Sequence, residues 1–538
     1  MPRYSRNPTL SASVLAVCAI FAVYSASAQG NAGEQQIPSV GPRVPIGIGP
    51  ARRMDELQIL STGQRISPMA PEGASFQPLN PHLPDNPDYT VGQAVTTVVS
   101  PDGKTLLVLT SGFNLEESTS GSEAGEINPA DSTEFVFVFD IASGSAVQKQ
   151  VLPLPYTYSG IAFSPSGQQF YVSGGRADNV HVFGMTKGVW SEVQTPVALG
   201  HLALANSATH SDGGLGLYTL PMAAGLAVSE DGAHIAVCDY ENDAISVLSK
   251  SGSVWVKSGE LDLRPGVISP ATATGVPGGE YPYWVTIKGS RYAFISSVRD
   301  REVDVVDVSG TPTLTARIPV SGNPNRSVLS SDQSLLYVAE DNSDSVAVIG
   351  TANNTVIAEI KVTAPSSAFK NQEGYKGANP NSVALSPDGS TLYVSDGGLN
   401  AVAVVALNRV AGNSYVEGLI PTGFYPNSVS ASADGKLLYI VNGKSATGPN
   451  PLECDQNQAN AAGAGRNCAA ANQYSWQLTK AGFQTVPVPS RSELGRLTQQ
   501  VLLNDHLGSL LSPEQERTMT ELHKKIQHVI YIIRENRT

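Results

Sequence analysis

NSVALSPDGSTLYVSDGGLNAVAVV, running from Asn381 to Val405, is the stretch whose reading decides the fold. Two strand-length runs, NSVAL and TLYVSD, flank Ser386-Pro387-Asp388-Gly389, and a third run, AVAVV, follows Asn400. Val, Leu and Tyr in runs of five or six residues, cut by Ser, Pro, Asp and Gly, predict short antiparallel strands joined by tight turns.

The same pattern recurs on both sides. AVTTVVSPDGKTLLVLTS begins at Ala94, SGIAFSPSGQQFYVSGG at Ser159, AGLAVSEDGAHIAVCDY at Ala224 and YWVTIKGSRYAFISS at Tyr283. NRSVLSSDQSLLYVAED from Asn325 and NSVSASADGKLLYIVNG from Asn427 bring the copies to seven. Third strands follow several of them, among them DNVHVFGM at Asp178, REVDVVDV at Arg301 and SDSVAVIG at Ser343, and NTVIAEIKV from Asn354 supplies a fourth. The spacing varies from 44 positions between Gly289 and Gln333 to 65 between Gly167 and Gly232. Inserted segments such as those starting at Asn114 and Gly200 absorb the difference and are expected to be loops at one rim.

A lone four-stranded sheet leaves both faces wet, whereas seven such sheets around an axis cover each other's faces. A pair of β-sandwiches, the alternative, does not call for seven matched hairpins. The expectation is therefore all-β: a seven-bladed β-propeller of four-stranded antiparallel blades with a short α-helical C-terminal extension. LQILSTGQRISP from Leu57 matches the outer-strand stretches before the blades at Asn325 and Asn427, so the N-terminal segment is expected to supply the last blade's outer strand.

These blade motifs resemble those of YVTN-repeat, YncE-like exported propellers and, more distantly, propeller lactonases. That likeness speaks for fold and leaves binding, scaffolding and enzymatic roles open. The organisation read on this basis is a leader at 1–28, a linker at 29–56, the propeller at 57–489, and a helical linker with one further strand at 490–538. Arg3 and Arg6, an apolar run too short to span a bilayer comfortably, and Ala26-Ser27-Ala28 read as a signal peptide cut after Ala28, placing the protein in the periplasm or outside the cell. An uncleaved anchor is the alternative. Lipid attachment at Cys18 is disfavoured by bulky Val17 before it. Cutting the leader shifts the formal net charge from −13 to −15, because only Arg3 and Arg6 leave with it. Such an acidic chain, with no basic block, argues against nucleic acid or anionic lipid as partner. No later apolar run approaches membrane-helix length. The partner expected is an unidentified ligand or protein at the propeller rim, with the chain a monomer.

Of the cysteines beyond the leader, Cys454 and Cys468 share one polar loop and could form a disulfide, while Cys238 sits in a strand and reads as a buried thiol. No C-x-x-C-H occurs, which removes covalent haem. His181, His201 and His210 lack short metal-ligand spacing, and the acidic stretches EDNSD at Glu340 and DYENDA at Asp239 read first as turn formers. A metal-dependent lactonase would instead use such oxygens for a hard cation. No catalytic residue and no cofactor of this chain is assigned.

After the seventh copy, Ser490 precedes an apolar helical pattern with Glu493 three residues on, a capping box, and Pro513 opens a second helix. IQHVIYIIRENRT, ending at Thr538, resembles the opening segment of the phosphoesterase domain of the alkaline phosphatase superfamily, found fused behind such propellers in exported bacterial proteins. The resemblance implies that Glu535 and Asn536 match acidic and amide positions near a divalent metal site, left incomplete here because its other ligands belong to later strands. The chain thus reads as the propeller half of a fusion cut at the first strand of its catalytic domain, with Leu502 to Thr538 expected to be loosely ordered.

Overall fold

The computed structural model describes residues 58–530 apart from 61, 62, 85, 86, 88, 113, 115–131, 206–218, 266–277, 366–376, 445–479 and 508–511. Within these residues, seven antiparallel sheets stand around one axis. Blade 1 is Ala94–Val99, Thr105–Thr110, Glu134–Asp140 and Val147–Leu154. Blade 2 is Ile161–Phe163, Gln169–Ser173, Asn179–Thr186 and a broken outer strand, Val189–Glu192 and Val197–Ala198. Blades 3, 4, 5 and 6 begin with Ala223–Val228, Pro282–Lys288, Pro324–Leu329 and Pro380–Leu385 and end with Val254–Asp262, Thr313–Pro319, Thr355–Lys361 and Tyr415–Pro421. Blade 7 is Pro426–Ala431, Leu437–Asn442, Gly482–Pro487 and, from the other end of the chain, Ser75–Pro78. First strands touch their neighbours in an unbroken circuit from blade 1 round to blade 7 and back.

Alternation along each strand builds the ring. Leu106 and Val108 pack into the seam with blade 7, whereas Leu107 and Leu109 pack into the seam with blade 2. The described residues carry seven apolar clusters, one in each seam. Second strands are therefore buried on both faces, which is why LLVL, IAVC and LYIV show no polar alternation. Each fully buried Val, Leu or Ile contributes about 1.5–3 kcal/mol. Cys238, at the end of IAVC, is likewise fully buried in the seam between blades 3 and 4, as a free thiol.

The turn between strands 1 and 2 is built on a shared device. Ser386 Oγ donates to Asp388 Oδ1 (2.6 Å), which also accepts the Ser390 amide, while Ser386 Oγ accepts the Thr391 amide. Ser100/Asp102, Ser229/Asp231, Ser330/Asp332 and Ser432/Asp434 repeat it. The turn's left-handed position holds Gly103, Gly167, Gly232, Gly389 and Gly435, whereas blade 5 puts Gln333 there at φ 57°. At a second recurring position, Asp178, Asp243, Asp344 and Asn400 are all left-handed and turn a side-chain oxygen toward the backbone amide of the next connection. The acid-rich stretches do act as turn formers, and Glu340 goes further: wholly buried, it accepts the Ser321 and Gly322 amides and the Ser345 hydroxyl.

The N-terminal segment closes the ring, one step later than expected. Ser75–Pro78, not the stretch from Leu57, pairs with Gly482–Thr485. Phe76 lies across Gly482, where a Cβ would land inside its ring. Gln58–Ile59 and Arg65–Ile66 form a hairpin of their own. Residues 63–72 instead run antiparallel along the helix Arg491–Asn504 and the turn after it. Glu72 N donates to Glu493 Oε1 (2.7 Å), Arg496 Nη2 to Ala70 O (2.9 Å), Asn504 Nδ2 to Ser67 Oγ (2.8 Å) and Gln64 Nε2 to Asp505 Oδ1 (2.9 Å). Ser490 caps that helix as expected, but the Glu493 carboxylate serves Glu72 rather than completing the capping box. The complete box belongs to the next helix, Pro513–Lys525, through Ser512 and Gln515. Leu502, expected in a loose tail, is buried in the core beside blade 6, whereas Pro513–Lys525 buries no residue.

Candidate functional site

A bulge at the start of the first strand in six blades shifts the pairing register there. Bulges re-aim side chains, and these aim one residue per blade at the axis. Superposing the blade motifs on this bulge puts Thr96, Gly160, Gly225, Trp284, Arg326, Ser382 and Ser428 at one level. Five of the seven line a cavity of about 410 Å³ on the axis, and Ile161 joins them from the next level of blade 2. The two exceptions are glycines packed against the next blade: a Cβ at Gly160 would run into Ala224 O, and one at Gly225 would sit 2.8 Å from Trp284 Cα.

Arg326 crosses this collar. It is 4% exposed, its guanidinium lies 4.8 Å from the Trp284 ring centre, Nη2 donates to Thr96 Oγ1 (2.8 Å) and Nη1 to Asn427 O (3.0 Å). One side chain of blade 5 thus ties blades 1, 4 and 7 together. Its Nε–H is buried without an acceptor, and none of the ion pairs among the described residues includes it. Burial lowers the pKa of the group, with the Tyr283 phenol beside it acting in the opposite direction, yet a guanidinium holds its proton in any protein setting. On one side of the collar Tyr158, Tyr240 and Tyr283 pack with centroids 5.8–6.2 Å apart. On the other, the cavity runs past Val328, Val383 and Val429 to the strand 1–2 turns at Ser331, Pro387 and Gly389. Across the seam between blades 7 and 1, the Thr97 hydroxyl bonds both the Ser428 and the Ser430 hydroxyl.

Arg326 is not among the residues expected from the sequence to form a site. The signal was in the blade repeat, where arginine stands level with Ser382, Ser428 and Thr96 in otherwise similar motifs. The histidines went to structural duty. His201 Nδ1 meets Asp178 Oδ1 (2.9 Å), and its Nε2 faces Glu260 (3.4 Å) and Asp239 (3.9 Å). Burial alone would lower its pKa, but these carboxylates outweigh it and push it up to about 10. His181 is buried against Glu192. No set of three or more His, Cys, Asp or Glu among the described residues is arranged to hold a metal ion. His210, the Cys454–Cys468 pair, the leader, and Glu535 and Asn536 with their implied divalent metal lie outside the described residues. No described helix is long and apolar enough to cross a membrane.

A family model described as "Lactonase, 7-bladed beta-propeller" matches residues 328–458, which take in most of blade 5, blade 6 and the first two strands of blade 7. Among solved structures, the chain is similar to hydrazine synthase of Kuenenia stuttgartiensis, at 18% identity over 66% of this chain and 94% of that one, with a TM-score of 0.46. It is similar to a putative 6-phosphogluconolactonase of Bacteroides fragilis at 16% identity over 64% and 89%, TM-score 0.45. It is also similar to the structure titled U3-55K, at 12% identity over 78% of this chain and all of that one, TM-score 0.50. No curated protein matches. The fold defines the class: a seven-bladed β-propeller, with a lactonase-type family match over part of its ring.

Proposed function

We propose that the protein is an exported propeller whose task is binding, with the axial channel as its ligand site, and that it is the non-catalytic half of a phosphoesterase fusion. The channel at Arg326 carries this reading: a partly open concave site with a single charged group in its wall is a common architecture for small-molecule binding. Around that cavity stand valines, hydroxyls already bonded to each other, and an arginine locked by two hydrogen bonds. No nucleophile and base lie in hydrogen-bond reach of each other along the described cavity wall, the pairing covalent catalysis uses. The test is a lactone panel and a phosphoester panel on the purified chain, each with and without Ca²⁺ or Zn²⁺. Turnover of any of them would overturn the non-catalytic reading.

A lactonase-type hydrolase is the second reading, favoured by the family match at residues 328–458. Ring opening would need a water activated near the channel, so lactone hydrolysis lost on blocking the channel would establish it. Fusion to a phosphoesterase rests on the motif at the C-terminal residues, and sequencing the coding region past Thr538 checks it.

A further inference from the structure

We infer that the well beneath Arg326 is a seat for a compact organic carboxylate, held by the guanidinium through Nε–H and with its apolar body in the well. The inference deepens the binding reading above and rests on it. Guanidinium presents five N–H donors, and Arg326 commits one on each Nη to protein. The Tyr283 phenol is a further partner of the group, and the Nε–H remains without an acceptor, the donor left to meet a carboxylate oxygen. A buried cation with no carboxylate beside it is costly unless an anion completes it. Nothing else in the wall is charged: the cavity lining is hydroxyl, aliphatic and aromatic apart from this residue.

The charge count selects a monoanion. One guanidinium with few remaining donors does not satisfy a phosphate dianion, which draws on several donors and two positive charges. The walls select an apolar body, because Val98, Ile161, Val328, Val383, Leu385 and Val429 face the space below. The volume, about 410 Å³, leaves room for an aryl or short branched acid, given that a cavity of about 150 Å³ already takes benzene. Ser382, level with Arg326 on blade 6, offers a hydroxyl at the collar. The bulge explains why the seat exists at all: a regular strand would pair Asn325 and Arg326 with the second strand, whereas pairing jumps from Pro324–Glu340 to Ser327–Val338.

Benzoate is the probe, with the neutral isostere benzamide, acetate and inorganic phosphate beside it, followed by calorimetry and tryptophan fluorescence at constant ionic strength. Benzoate is expected to bind saturably at one site and to change the emission of Trp284, a change absent in Trp284→Phe. Benzamide and acetate should bind at least roughly tenfold more weakly. Arg326→Gln should weaken benzoate at least roughly tenfold. Since that variant also unties the collar, Ser382→Phe is the second: it fills the well while leaving both Arg326 hydrogen bonds, and should abolish binding with the circular dichroism spectrum unchanged. Benzamide binding as well as benzoate, phosphate binding in its place, no saturable benzoate binding, or full binding by Ser382→Phe would each overturn the seat. A benzoate-blind channel that takes another ligand overturns this inference and leaves the binding reading standing, whereas catalytic turnover with benzoate still bound does the reverse.

Discussion

Gln333 shows how a repeated turn tolerates one departure. Its φ of 57° is a conformation glycine adopts freely and other residues reach at about 1–2 kcal/mol. Here the side chain recovers part of that cost, because Gln333 Oε1 accepts the Gly289 amide of the neighbouring blade at 2.7 Å. Gln333→Gly trades backbone relief for that hydrogen bond and should change stability by less than about 1 kcal/mol in urea denaturation. Gln333→Ala, which keeps the strain and loses the bond, should cost about 1–2 kcal/mol. His201 is a harsher case. Removing it leaves Asp178 and Asp239 buried without their cation, so His201→Ala should cost about 3 kcal/mol by the same measurement. At this scale the turns were legible because Ser, Asp and Gly act through local hydrogen bonds. Arg326 and His201 were not, because their partners lie on other blades and no short-range spacing announces them.

Among the elements, the strands read out most fully, since seven near-identical hairpins each state the same two-sided burial. What escaped was which N-terminal piece joins the last blade. Ser75–Pro78 is four residues with a terminal proline, too short to show an alternation, while the more strand-like stretch from Leu57 found a different partner in the helix Arg491–Asn504. Glycines set both contacts. At Gly482 a methyl group would displace the Phe76 ring, so Gly482→Ala should loosen the closing strand and raise amide exchange in Ser75–Pro78 and Gly482–Pro487 relative to the other blades. Gly418 lets the helix lie on the outer strand of blade 6: a Cβ there would stand 2.6 Å from Leu494 Cγ and from Thr498 Oγ1, the latter already holding the Leu419 amide. Gly418→Ala should cost about 1–3 kcal/mol and expose the helix to limited proteolysis before the blades.

The ring as a whole is acidic and buries several protonatable groups whose folded pKa values sit high. Burial pushes Glu134 up to about 8, Asp239 to about 7 and Asp505 to about 8, and the carboxylates around His201 hold it at about 10. All four bind protons more tightly folded than unfolded. The stability they bring is complete below their unfolded values, near 4 for the carboxyls and 6.5 for the histidine. It fades as pH climbs through 7 to 8, and again through 10. The net negative charge pulls in the same direction at high pH. Urea midpoints at constant ionic strength should therefore fall steadily from about pH 5 to about pH 9, with His201→Ala flattening the upper part of the curve. A rising curve would mean that these groups are not buried as described. The architecture was legible because burying two faces per sheet leaves few solutions; the charge pattern was not, because burial is a property of the assembled ring.

Closure by a strand from the far end of the sequence also decides how the molecule bears force. Ser75 faces Thr485 and Pro78 faces Gly482, so the leading and trailing chains leave the closing pair at the same end. A tug between those chains would peel the pairing apart one rung after another, a far weaker geometry than sliding it lengthwise. Before it reaches that zipper, however, the load meets residues 63–72 strapped along the helix Arg491–Asn504. The strap is antiparallel as well, so the same tug opens it from the Gln64–Asp505 end, and its four hydrogen bonds must go one after another before the closing strand feels the load.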